Sequence, residues 1–168
     1  MKEKITTDLL IADVKKNSKK MLTRVLGTYI NFALLTNCIA LFLKWDCLLG
    51  INLILAAIFG ILALIVLYRT RPIIKQIKHK NIEIHEDRVI KKLITRGGKG
   101  TQYYLAFQDY QPINEPGVLV SDTRYNQCEL DDMCYIIYVK SSAKQPCLLV
   151  YTSREYELPE SLVDKIRK

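Results

Sequence analysis

Across 168 residues with a formal net charge of +8, the charge is segregated, and its placement excludes the reading that a basic chain first suggests. Residues 1–24 hold seven Lys/Arg against three acids, residues 69–80 five against none, and residues 81–168 twelve against thirteen. The excess flanks two apolar runs, so the C-terminal half has no basic face for neutralising phosphates, and no nucleic-acid partner is expected.

The chain reads as a basic leader (1–24), a transmembrane hairpin (25–68), a basic juxtamembrane linker (69–80) and a small β domain (81–168). In the leader, Ile11, Val14, Met21 and Val25 recur near one helical face, with Lys15, Lys16, Lys19 and Lys20 elsewhere. This is the pattern of an interfacial amphipathic helix or, equally, of a cytoplasmic leader that only sets orientation.

Val25 to Leu43 and Leu48 to Tyr68 are each long enough to cross a hydrocarbon core of roughly 30 Å as a helix. A cleaved signal peptide fits poorly, because the first run exceeds the usual apolar region and Lys44-Trp45-Asp46-Cys47 leads straight into the second. Lys and Arg resist translocation, so cationic outer flanks around a neutral turn predict a cell-membrane protein with both termini cytoplasmic. Neither run contains Asp, Glu, Lys, Arg or His, which argues against a self-contained pump or ion-coupled transporter. Asparagine in hydrocarbon needs a partner, so Asn31, Asn37 and Asn52 are candidates for helix–helix contact, with Ala56 and Gly60 as a small-residue pair permitting close approach. Pro72 is expected to end or kink the second helix, and Ile73 to Lys80 to be a short basic helix or a linker.

From Asn81 the period changes to two, with β-branched and aromatic residues. Strands are predicted at Ile82–His85, Arg88–Thr95, Gln102–Tyr110, Gly117–Ser121, Met133–Lys140 and Pro146–Thr152, with turns at Glu86-Asp87, Arg96 to Gly100, Gln111 to Pro116, Asp131-Asp132 and Ser141 to Gln145. Such spacing predicts a small antiparallel all-β barrel-like domain, and Pro159 to Lys168 a short closing helix.

Motifs for chemistry are scarce. Gly97-Gly98-Lys99-Gly100-Thr101 lacks the upstream glycine and the Ser/Thr directly after lysine that a phosphate loop requires, and reads as a hairpin turn. His79 and His85 have no neighbours at metal-ligand spacing, so no metal, cofactor or enzymatic activity is expected. The five cysteines, without paired spacing, fit a reducing compartment; Cys128 and Cys134, with Asp131 and Asp132 between them, read as ordinary thiols at strand ends and could assemble a site only if the loop curled sharply. Tyrosines crowd the β domain; Tyr103, Tyr104, Tyr135 and Tyr138 are candidates either for barrel packing or for an interaction face.

Two spans followed by a strand-rich module with Tyr103-Tyr104-Leu105-Ala106-Phe107 and Asp131-Asp132-Met133-Cys134-Tyr135-Ile136-Ile137-Tyr138-Val139 resemble small two-span membrane proteins of Gram-positive bacteria. In those a hairpin carries an SH3-like or OB-like barrel; a rival resemblance, to NfeD-type membrane proteins, lacks glycine and proline punctuation in the first strands. The resemblance implies no catalytic residues. The expected function is a membrane-anchored cytoplasmic interaction or regulatory module, or else an accessory subunit of a membrane complex, such as a transporter partner or immunity-type protein, binding through its spans. The expected partners are the lipid bilayer and a protein or second copy.

Overall fold

A computed structural model describes residues 2–43, 48–97, 100–112, 115–139, 147–163 and 166–167. The Lys44 to Cys47 turn and the Ser141 to Gln145 turn lie outside the described residues. The chain divides into two compact units: residues 11–74, and residues 1–10 with 75–168.

The first unit is a helix pair. Thr6 caps α1 (Thr7–Leu43) by accepting from Leu9 N at 3.2 Å, and α1 runs from the leader into the first apolar run without interruption. The second helix, α2 (Leu48–Lys78), likewise passes beyond its apolar run. Both are long and apolar enough to cross a membrane. Contacts at Ser18 with Thr70, Tyr29 with Phe59 and Asn37 with Asn52 advance in step along the two helices, the register of an antiparallel pair without slippage.

Pro72 lies inside α2 and does not end it. An interior proline costs a helix about 3 kcal/mol through its missing donor and ring clash. The turn beyond it is held by Ile77, fully buried in the other unit's core, and by the closure at the helix end. There Lys80 adopts a left-handed φ of 52°, its N–H donates to Ile77 O at 2.9 Å and Asn81 N–H donates to Gln76 O at 3.0 Å.

The second unit is built on β2 (Ile82–Gly97), the strand that joins two halves of a sheet. Its residues 82–88 pair antiparallel with β5 (Met133–Val139), which pairs with β6 (Cys147–Thr152). Past a register shift between Val89 and Lys91, β2 pairs with β3 (Gly100–Phe107), which pairs with β4 (Val118–Val120). The order is β4-β3-β2-β5-β6.

This is an open sheet and not a barrel, a correction to the expected closure: among the described residues no ladder joins β4 to β6. A three-residue β4 offers too short an edge to close upon. The expected turn at Glu86-Asp87 is also corrected, because both residues stay in the ladder, opposite Tyr135 and Cys134. Asp87 is 4% exposed, yet its carboxylate accepts from three backbone N–H groups, Arg88 and Tyr110 at 2.7 Å and Asp109 at 3.0 Å. Those bonds replace the hydration that a carboxylate would otherwise require a turn to keep.

Three elements arise where no strand or helix was expected. Ser121 caps α3 (Asp122–Gln127), its hydroxyl accepting from Arg124 N at 3.2 Å. The leader contributes β1 (Glu3–Lys4), parallel to β7 (Tyr156–Glu157). The predicted closing helix shrinks to α4 (Glu160–Val163), followed by β8 (Ile166–Arg167) pairing with β2.

Both faces of the sheet are apolar. One carries Val89, Leu105, Phe107, Val118, Cys128, Cys134, Ile136 and Val150 as a single core. Ile82, Ile84, Ile137 and Val139 alternate onto the other and are also buried, as are Ile5 and Leu10 of the leader in the same unit. Complete burial of each such side chain contributes about 1.5–3 kcal/mol, which makes the leader's first ten residues part of the fold.

Candidate functional site

Three places gather the residues that could act. Within the helix pair, Asn52 Nδ2 donates to Asn37 Oδ1 at 3.0 Å, so two of the span asparagines meet. Asn52 Oδ1 is buried without a described donor. Asn31 is exposed, and the described residues hold no partner for it. Ala56 and Gly60 are also exposed; with Ala63 and Phe59 of α2 and Leu22, Val25, Leu26 and Tyr29 of α1 they line an apolar groove of about 390 Å³.

On the sheet, the four candidate tyrosines do not make one face. Tyr103 and Tyr104 are neighbours in β3 and so alternate to opposite sides, and an odd separation parts Tyr135 from Tyr138 on β5. Tyr104 is buried, its hydroxyl donating to Gln102 Oε1 at 3.1 Å. Tyr103 meets Tyr125 at a tilt, with ring centroids 5.1 Å apart. Tyr135 and Tyr138 are half-buried.

The third place was foreseen only in its two cysteines. Helix α3 carries Arg124 against the rings of Tyr151 and Tyr156, with its guanidinium 4.4 and 4.8 Å from their centroids. Lys92 lies 4.4 Å from the Tyr125 ring centroid and donates to the Cys128 carbonyl at 2.6 Å. The helix ends at Cys128, whose sulfur is 3.8 Å from that of Cys134. The loop between them is tethered by Arg154, 3.0 Å from Glu129 Oε2 and 2.6 Å from Asp132 Oδ2. The sequence offered Cys128 and Cys134 as a pair only if their loop curled sharply, which it does; α3 and its cations went unseen because the helix is too short for a periodic signal.

Electrostatics distinguish the two thiols. The hydrogen bond shared with Cys134 holds the Cys128 thiol below its ordinary range, against burial and the Asp132 charge, while Lys92 and Arg124 add to the lowering. The same hydrogen bond and burial drive the Cys134 thiol upward. No group of three or more His, Cys, Asp or Glu suited to a metal occurs among the described residues.

Burial also raises Tyr110, with the neighbouring Tyr138 adding to it, and raises Tyr135, helped by Glu86 and Glu157. A phenol whose folded-state pKa exceeds its unfolded value contributes stability that is complete below the unfolded pKa and lost as pH rises through the folded one. Stability should therefore fall as pH rises above 10, the ordinary tyrosine value. Urea midpoints across alkaline pH should drop less in the Tyr110→Phe, Tyr135→Phe double variant; equal slopes would contradict the assignment.

Comparison with protein-family models, with curated proteins and with solved structures gives no match for this chain.

Proposed function

We propose that the protein is a membrane-anchored cytoplasmic interaction module, in which the helix hairpin fixes the sheet unit at a bilayer surface where it engages a protein partner or a second copy. The observation carrying this is the uncovered apolar surface of the helix pair. Leu26, Ile30, Phe32, Leu34, Leu35, Leu53, Ile54, Ile58, Ile61 and Leu64 are each between 47 and 65% exposed. In water a contiguous patch of that kind would exceed what a soluble monomer leaves bare. In hydrocarbon it is the expected outer face, and the Asn37–Asn52 bond supplies the internal polar partner that lipid cannot. The cations at Lys15, Lys16, Lys19, Lys20, Arg24, Arg69 and Arg71, all exposed, support cytoplasmic termini.

Orientation is tested on intact cells with an impermeant maleimide. A variant retaining only Cys47 should be labelled, and a variant carrying only Glu155→Cys should react after permeabilisation; the reverse pattern would overturn the topology. Cys128 and Cys134 are unsuited as reporters because both are buried.

The apolar groove beside Ala56 and Gly60 favours a second reading, an accessory subunit that binds through its spans. A Cβ on Gly60 meets nothing within 4 Å, so Gly60→Ala is accommodated, and Gly60→Leu extends a larger side chain into the groove. Affinity purification from native membranes should then lose a stoichiometric integral-membrane partner only under the second reading, whereas the anchored module keeps its partners.

A further inference from the structure

The two buried cysteines of the sheet unit stand in a relation that packing alone does not require. Cys128 caps the end of α3 and Cys134 lies one residue into β5, and a tight loop with Asp131 at a left-handed φ of 66° returns the chain so that the sulfurs are 3.8 Å apart. Sulfurs in a disulfide are about 2.05 Å apart, so a displacement of about 2 Å joins them. Both side chains are fully buried within the core that includes Val89, Leu105, Ile136 and Val150.

The loop that covers them is held mostly from outside. Its Glu129 and Asp132 side chains are bound by Arg154, which also donates to Gln127 O at 3.2 Å, and Arg154 itself is 47% exposed. Two further bonds join it to β2, Asp131 N–H to Val89 O at 2.9 Å and Val89 N–H to Asp132 O at 3.0 Å. Arg154 and Glu129 are solvent-exposed and their pairing is screened by water, so the cover opens readily on that side, although Asp132 is only 10% exposed.

We propose that Cys128 and Cys134 form a dithiol–disulfide modification site whose oxidant is a hydroperoxide, with Cys128 the attacking sulfur, Cys134 the resolving sulfur and Arg154 the latch on the loop above them. The thiolate of Cys128 attacks one peroxide oxygen; an S–O bond forms, the O–O bond breaks, and the leaving oxygen takes a proton and departs as alcohol or water. Cys134 then attacks the sulfenic sulfur of Cys128. The S–S bond forms, the S–O bond breaks, and hydroxide leaves as water with the Cys134 proton. Two thiols are oxidised by two electrons and one peroxide is reduced. The direction of attack follows from Lys92, which donates to the Cys128 carbonyl at 2.6 Å and, with Arg124, favours charge on the Cys128 sulfur. Closing the bond would draw the end of α3 onto β5 and shift the helix carrying Arg124, which lies over two tyrosines. The inference holds whether or not the helix pair crosses a membrane.

The test uses the reduced full-length protein in detergent micelles, exposed to hydrogen peroxide beside a free low-molecular-weight thiol, then quenched by alkylation and digested with trypsin. Cleavage after Arg124 and Lys140 leaves both cysteines in one peptide. That peptide should lose the mass of two hydrogens and escape alkylation, and Arg154→Ala should raise the rate severalfold. Cys134→Ser should leave a sulfenic acid on Cys128, trapped by dimedone, and Cys128→Ser should leave Cys134 unreacted. Recovery of the doubly alkylated peptide after the free thiol is consumed would overturn the proposal, as would added oxygens without the disulfide. If either serine variant fails to fold, the native peptide's mass decides by itself. An unchanged rate in Arg154→Ala would remove the latch.

Discussion

Replacing Asp87 with alanine is expected to destabilise the sheet unit by on the order of 3 kcal/mol, the largest effect of any single polar substitution there. The reason is asymmetry. The carboxylate is nearly enclosed and accepts three backbone N–H groups, those of Arg88, Asp109 and Tyr110. Removing it leaves three donors that the surrounding backbone cannot satisfy, and such loss costs more than the net worth of the bonds when made. Asp87→Asn keeps the shape and one acceptor oxygen, and should cost about half as much: the Asp109 and Tyr110 donors share Oδ2, while Arg88 donates to Oδ1 and would face an amide N–H instead. Hydrogen exchange should show the change at Asp109 and Tyr110 first, while the helix pair, a separate unit, keeps its protection. Equal stability of Asp87→Ala and the native protein would mean that water replaces the carboxylate, contrary to its burial.

The same residue marks where sequence reasoning stops. Adjacent carboxylates at Glu86-Asp87 favour a turn by local propensity, and only contact with residues more than 20 positions away keeps Asp87 in a strand. The two long helices were legible because hydropathy is a local sum, and the alternation of β3 and β5 was legible for a similar reason. Barrel closure was not, since it depends on how far β4 extends and on pairings that no local pattern encodes. The leader read as separate from the β domain because two residues, Glu3 and Lys4, carry no strand signal; their place is fixed by Tyr156 and Glu157 at the far end of the chain. Of the helix-contact candidates, the bond between Asn37 and Asn52 follows from the cost of an unpaired amide in an apolar setting. Asn31, of the same type and in the same run, faces outward, and nothing but the helix register separates the cases. The thiol pair was legible only as a condition, because the sharp curl it needs is the left-handed turn at Asp131 that returns the chain.

Gly117→Ala should be the most damaging change that adds rather than removes atoms. An alanine Cβ at this buried position would stand 2.6 Å from Leu105 O, 2.9 Å from Leu105 C and 3.1 Å from Ala106 N. All three are backbone atoms of β3, so no side chain can swing aside. The strain must instead part β4 from β3, and β4 is held by only three register pairs, Tyr103 with Val120, Tyr104 with Leu119 and Leu105 with Val118. Overpacking of a close contact costs about 1–3 kcal/mol, and with the short ladder strained the upper end is expected. The disturbance should travel along the chain, since Ser121, which caps α3, directly follows β4. Denaturation midpoints should therefore fall together with exchange protection at residues 118–128. A matched control is available in Gly27→Ala, where a Cβ meets nothing within 4 Å and a helix gains up to about 1 kcal/mol. If both alanines proved equally harmless, the close approach of residue 117 to β3 would be refuted, and with it the placement of β4 that seats α3 and its terminal cysteine.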